Sequence, residues 1–128
     1  SLKYIKKILK KLSEDPITSK TPTIVFARDP KCNLSEFKLD DLSCYGMFTS
    51  IDPSKAISVF KGSHALQGNL DPKILLEEDS VIKESAIKML SEFKDFPGYI
   101  FNLGHGITPD INPDKVKVLV EAIRESGT

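Results

Sequence analysis

The sequence predicts an α/β domain built on a parallel sheet, and three observations carry that expectation. Short apolar stretches alternate with amphipathic stretches at helical spacing, the pattern of strand–helix units. Ile51-Asp52-Pro53, Leu70-Asp71-Pro72 and Ile111-Asn112-Pro113 each put an N-cap residue before a proline suited to the first helical position. Each of these lies shortly after an apolar stretch. Together they read as strand, loop, capped helix, four times over, preceded by one helix. Four such units fit an open, doubly wound sheet. They also fit half of an eight-stranded βα barrel, which at about 250 residues is roughly twice this length.

Taken in order, Leu2, Ile5, Leu9 and Leu12 repeat at helical spacing beside Ile8, with lysines at 3, 6, 7, 10 and 11 on the other face. A basic amphipathic helix is a membrane or acidic-partner candidate; a solvated lysine face on a surface helix is the simpler reading. Ser13 to Pro22 reads as loop. Thr23–Ala27 is a continuous β-branched and apolar run, predicted to be a buried strand. Asn33 to Leu42 is expected to form a short helix or turn with Leu34, Phe37 and Leu42 inward. Cys44 to Phe48 reads as a weaker strand. A helix from Pro53 carries Ala56, Ile57 and Phe60 on one side. His64 to Gln67 is the next strand, and a helix from about Ser80 to Lys94 faces Ile82, Ala86, Leu90 and Phe93 inward. Tyr99–Phe101 is the last strand. The last helix starts at Pro113 and should bury Val116, Leu119, Val120 and Ile123.

The chain has 128 residues, enough for one core and too few for two. Basic and acidic residues balance at 18 each, so no global charge points to nucleic acid or a membrane surface. Arginine is confined to Arg28 and Arg124. Cys32 and Cys44 have no CxxC partner and read as reduced thiols. With His64 and His105 they form no recognised zinc spacing, so no metal is expected. No apolar run approaches the roughly 18 residues of a membrane span, and no secretory pattern is present. The expected location is the cytoplasm. The chain opens at Ser1, without methionine and already inside a helical pattern, which fits a piece cut from something longer.

In both architectures function sits at the carboxyl ends of strands, where two polar, glycine-bearing loops lie: Gln67-Gly68-Asn69-Leu70-Asp71 and Asn102-Leu103-Gly104-His105-Gly106. They offer hydrogen-bonding amides and one titratable imidazole. Glycines beside His105 let backbone approach a ligand closely, or simply serve a loop that needs positive φ. Asp71 reads as a helix cap, and His64, at the start of its strand, as structural. No serine or cysteine announces a pairing with histidine, and Gly104-His105-Gly106 lacks the third glycine of a dinucleotide fingerprint.

At these loops the sequence resembles the uroporphyrinogen decarboxylase family. Ala65-Leu66-Gln67-Gly68-Asn69-Leu70-Asp71-Pro72 is similar to its ALQGNLDP segment. Ile100-Phe101-Asn102-Leu103-Gly104-His105-Gly106-Ile107 is similar to its IFNLGHGI closing segment. The resemblance implies the C-terminal half of a (βα)8 TIM-type barrel, with residues 1–128 as one partial domain, and a cytosolic, homodimeric, cofactor-free enzyme of heme biosynthesis. That enzyme removes the four acetate carboxyl groups of uroporphyrinogen to give coproporphyrinogen. Protonating a pyrrole carbon beside the acetate arm makes the ring an electron sink, and the carboxyl group can then leave. Such a site needs an acidic group facing the pyrrole NH groups and arginines for the eight substrate carboxylates.

In the family those groups come from the first two-thirds of a longer chain. The resemblance therefore implies no catalytic residue here and carries over His105 as a substrate contact, with Gln67, Asn69, Gly104 and Gly106 supporting it. The isolated chain is expected to be inactive. Two departures matter: Gly46-Met47-Phe48-Thr49 stands where the family reads Gly-Leu-Asp-Trp, and Arg28-Asp29 replaces Lys-Gly. They leave open a degenerate, non-enzymatic remnant or a self-associating half-barrel. An unrelated phosphate- or nucleotide-binding α/β module is a further alternative. The related zinc methyltransferases carry a cysteine ligand where this chain has Leu103-Gly104-His105.

Overall fold

The computed structural model describes residues 2–127. Helix α1 (Leu2–Glu14) precedes strand β1 (Ile24–Phe26), which a single 3-10 turn (Leu34–Phe37) links to β2 (Cys44–Gly46). Helix α2 (Pro53–Phe60), strand β3 (Ala65–Gln67), a second 3-10 turn (Pro72–Leu76), helix α3 (Asp79–Glu92), strand β4 (Tyr99–Ile100) and helix α4 (Pro113–Glu125) follow. The strands pair in parallel in the order β1-β2-β3-β4. A doubly wound sheet reverses its strand order at a switch point, so four consecutive units in sequential order select the barrel-type arrangement.

Strand register sorts the side chains into two faces. Val25, Tyr45, Leu66 and Tyr99 form one row and pack under the helices. Phe26, Gly46, Gln67 and Ile100 form the row on the opposite face. The helix-side core centres on Tyr45, whose ring stacks on Phe60 at 5.1 Å and leans on Phe37 at 4.8 Å. A second cluster, with Leu75, Ile82, Ala86, Leu119 and Ala122, holds α3, α4 and the 72–76 turn together.

The three expected N-caps form: Asp52 accepts from the Ser54 and Lys55 amides, Asp71 from Lys73 and Asn112 from Asp114. Leu34, Phe37 and Leu42 are buried as expected. Several expectations fail. Strand β1 is not buried, because Ile24 is 50% and Phe26 48% exposed. They point to the face without helices, on an edge strand with nothing across it. Conversely the supposedly weaker β2 is buried along its whole length, because it lies between two neighbours. The expected short helix or turn after Asn33 forms as the 34–37 turn, so the capped helix expected after each strand is missing after β1. On α4, Val120 is exposed and Ala122 is buried in its place, since α4 meets the α3 layer along a narrow stripe.

Candidate substrate mouth

The carboxyl ends of β2, β3 and β4 converge through two close backbone approaches and one buried amide. Gly68, with φ 115, follows β3 and lies against β2; a Cβ there would be 2.9 Å from the Met47 carbonyl oxygen. Gly104, after β4, is tighter still: a Cβ would sit 2.6 Å from the Thr49 nitrogen and 2.7 Å from its Cα. Neither Gly104 nor Gly106 is among the glycines with positive φ, so close approach accounts for Gly104, and a left-handed turn accounts for neither.

Asn69 is 4% exposed, and its Nδ2 donates to the carbonyls of Phe48 (3.0 Å) and Ile51 (2.7 Å). It thereby clips the β2–α2 loop to the β3 loop, while its Oδ1 is buried without a partner. Tyr99 Oη donates to the Gly68 carbonyl at 2.5 Å. Burial, with Glu92 adding to it, holds that phenol neutral well above its ordinary range. Gln67 occupies the helix-free face at the end of β3, in register with Phe26, Gly46 and Ile100.

His105 is half-buried on the loop that Gly104 anchors. Its Nδ1 lies 2.9 Å from the Gly106 carbonyl oxygen. A carbonyl only accepts, so Nδ1 carries the proton and Nε2 is left for a ligand. The imidazole packs on Phe48 at 5.8 Å between ring centroids, and Phe48 in turn packs on Phe26 at 6.3 Å. An aromatic row thus crosses the mouth from β1 to the loop after β4. Both nearby aspartates, Asp52 and Asp71, are spent on helix caps. The Ser54 hydroxyl, followed by the Lys55 and Ser54 amides, holds Asp52 below the usual carboxylate range.

Of the expected supporting residues, Gly104 and Asn69 shape the loops, Gln67 lies on the open face, and Gly106 has nothing within 4 Å of a would-be Cβ. His64 lies apart, donating Nε2–H to the Leu39 carbonyl and packing edge-on against Phe60. Arg28 follows the end of β1, and Arg124 sits in the last turn of α4. Cys32 and Cys44 are free thiols. Among the described residues no three His, Cys, Asp or Glu side chains converge as a metal site, and no helix is long and apolar enough to cross a membrane. Sequence reasoning missed Phe26 and Phe48 as parts of this mouth. The only signal was the departure at Phe48, because the row is made by sheet register.

The uroporphyrinogen decarboxylase family model matches residues 1–126. A uroporphyrinogen decarboxylase of Alcanivorax borkumensis is 35% identical over 98% of this chain and 35% of its own length. That of Chloroherpeton thalassium is 38% identical over 99% of this chain and 36% of its own. That of Chlorobium limicola is 41% identical over 83% of this chain and 31% of its own. The chain thus spans about a third of the length of these curated relatives. A methyltransferase from Methanosarcina mazei superposes over the whole chain and 38% of its own, with a TM-score of 0.71 at 20% identity, a likeness of fold.

Proposed function

The chain belongs to the uroporphyrinogen decarboxylase family, and we propose that it forms one wall of the mouth in which uroporphyrinogen loses its acetate carboxyl groups. In this reading residues 1–128 are the C-terminal half-barrel of a cytoplasmic enzyme that needs no cofactor. His105 contacts the substrate, and Gln67, Asn69, Gly104 and Gly106 line or shape its surroundings. In this reading the chain holds the ring and does not drive the chemistry, and Asp52 and Asp71 beside the mouth are committed to helix caps.

The observation that carries this reading is the placement of the family's closing loop. It lies at the carboxyl edge of the sheet, with the His105 imidazole packed at a tilt against Phe48 and its Nε2 uncommitted. A flat pyrrole face suits that aromatic row. A substrate carboxylate suits Nε2, provided the ring is doubly protonated so that Nε2 donates.

The test is titration of the chain with uroporphyrin, the stable oxidised counterpart of the substrate, followed by fluorescence. His105→Gln should weaken that affinity several-fold without changing the melting temperature. An affinity unchanged by His105→Gln would refute the contact. Coproporphyrinogen formation by the isolated chain at a rate approaching that of an intact enzyme would refute the non-catalytic role.

A second reading has its own support. Phe48 and Thr49 stand where the family reads Asp-Trp, and Ile24, Phe26 and Ile100 lie exposed on open edge strands. These fit a half-barrel that pairs with a second copy.

A further inference from the structure

Beyond the end of β1 lies a hollow of about 460 Å³ that neither polar loop reaches. It is lined by the apolar Ile5, Phe26, Ala27 and Pro30 and by the charged Arg28, Asp29 and Lys31. Asp29, between the two cations in sequence, takes φ 42, in the left-handed region. The ion pairs among the described residues are Lys10–Glu14, Lys115–Asp79 and Lys117–Glu121, so Arg28 and Lys31 have no carboxylate partner. Asp29 offsets one of their two charges.

Phe26 belongs to both this hollow and the aromatic row that runs through Phe48 to His105. A ring resting on that row would put its margin over the hollow, and a side arm leaving the margin would enter between Arg28 and Lys31. We infer that this hollow is a carboxylate subsite, taking an acidic arm of a pyrrolic polycarboxylate whose ring lies on Phe26, Phe48 and His105. The inference rests on the reading above for the ring. Arg28 supplies a planar fork that matches a carboxylate with two parallel hydrogen bonds, and Lys31 supplies a point charge. Both are solvent-exposed, so each contributes modestly and the subsite selects among acidic ligands more than it anchors them.

Two probes test it: uroporphyrin, followed by fluorescence, and phenylacetate, followed by NMR. The double variant Arg28→Gln/Lys31→Gln should weaken uroporphyrin binding about three- to tenfold, within the range of exposed ion pairs, and flatten its salt dependence. Asp29→Asn keeps a residue that tolerates the left-handed turn and removes the opposing charge, so it should tighten binding. Phenylacetate should shift the Phe26 ring and the amides of residues 27–31 in the wild type, and leave them unmoved in the double variant. Equal uroporphyrin affinity in wild type and double variant would overturn the subsite while leaving the ring site standing. Phenylacetate shifts without any uroporphyrin binding would sink the proposed function and keep a carboxylate site. Silence from both probes would overturn both.

Discussion

At the scale of single residues, Tyr45 and Gly104 show how the interior and the mouth are fixed. The Tyr45 side chain is fully buried, and its hydroxyl has no hydrogen-bond partner. Burial, with the neighbouring Cys32 adding to it, pushes the phenol up from 10.0 to about 12. A phenol with a raised pKa favours the folded state while it is neutral. Its contribution is complete below pH 10 and is lost as pH rises towards 12. Tyr45→Phe should therefore melt at least as high as wild type at neutral pH, because it removes an unpaired buried hydroxyl that costs about 1 kcal/mol or more. It should also lose less stability than wild type between pH 10 and 12 in an alkaline melting series. The two glycines flanking His105 separate just as sharply. Gly104→Ala forces a methyl group into Thr49 backbone and should cost about 1–3 kcal/mol, the range of core overpacking. Gly106→Ala meets open space and should leave the denaturation midpoint unchanged. A shared cost at both positions would show that the loop needs glycine for a reason other than Thr49.

At the scale of elements, α4 is held by its first turn. Asn112 Oδ1 accepts from the Asp114 amide at 2.9 Å, and one residue later Lys115 reaches across to α3. Its Nζ donates to Asp79 Oδ1 of α3 at 2.7 Å and to the carbonyl of Glu77, which caps the 72–76 turn, at 3.0 Å. The hydrogen bond to Asp79 lifts the Lys115 pKa above the usual lysine value. Asn112→Ala should cost about 1 kcal/mol in chemical denaturation. Amide exchange should speed up first in the opening turn of α4 and at the start of α3, whereas fraying from residue 125 inward would place the weak point elsewhere. These caps were legible in the sequence because a cap is local: Asp52, Asp71 and Asn112 each stand directly before a proline. The burial of the strands was not. Ile24 and Phe26 belong to a run as apolar as any in the chain, yet only position in the sheet decides that they are exposed and Tyr45 is not. For the same reason the glycine–histidine loop could be picked out from its residues, while the aromatic row through Phe26 and Phe48, which depends on register across β1 and β2, could not.

At the scale of the whole molecule, a parallel sheet of four strands in sequential order has two unpaired edges, β1 and β4. Its helix-free face is apolar at both: Ile24 is 50%, Phe26 48% and Ile100 43% exposed. Covering the open half of each side chain is worth about 1 kcal/mol apiece. Two edges per copy, with their main-chain hydrogen bonds, bring the gain into the same range as the roughly 4 kcal/mol or more that association costs in lost freedom. The two terms are of similar size, so copies of this chain should pair only weakly. Light scattering should then give a mass that climbs above the 14.2 kDa of one chain as concentration rises. Ile24→Lys combined with Ile100→Lys puts a charge on each open edge while sparing the mouth, and should restore the single-chain mass at every concentration. A wild-type mass that stays at one chain up to millimolar concentration would mean that the two edges do not recognise each other, and self-pairing would have to be abandoned.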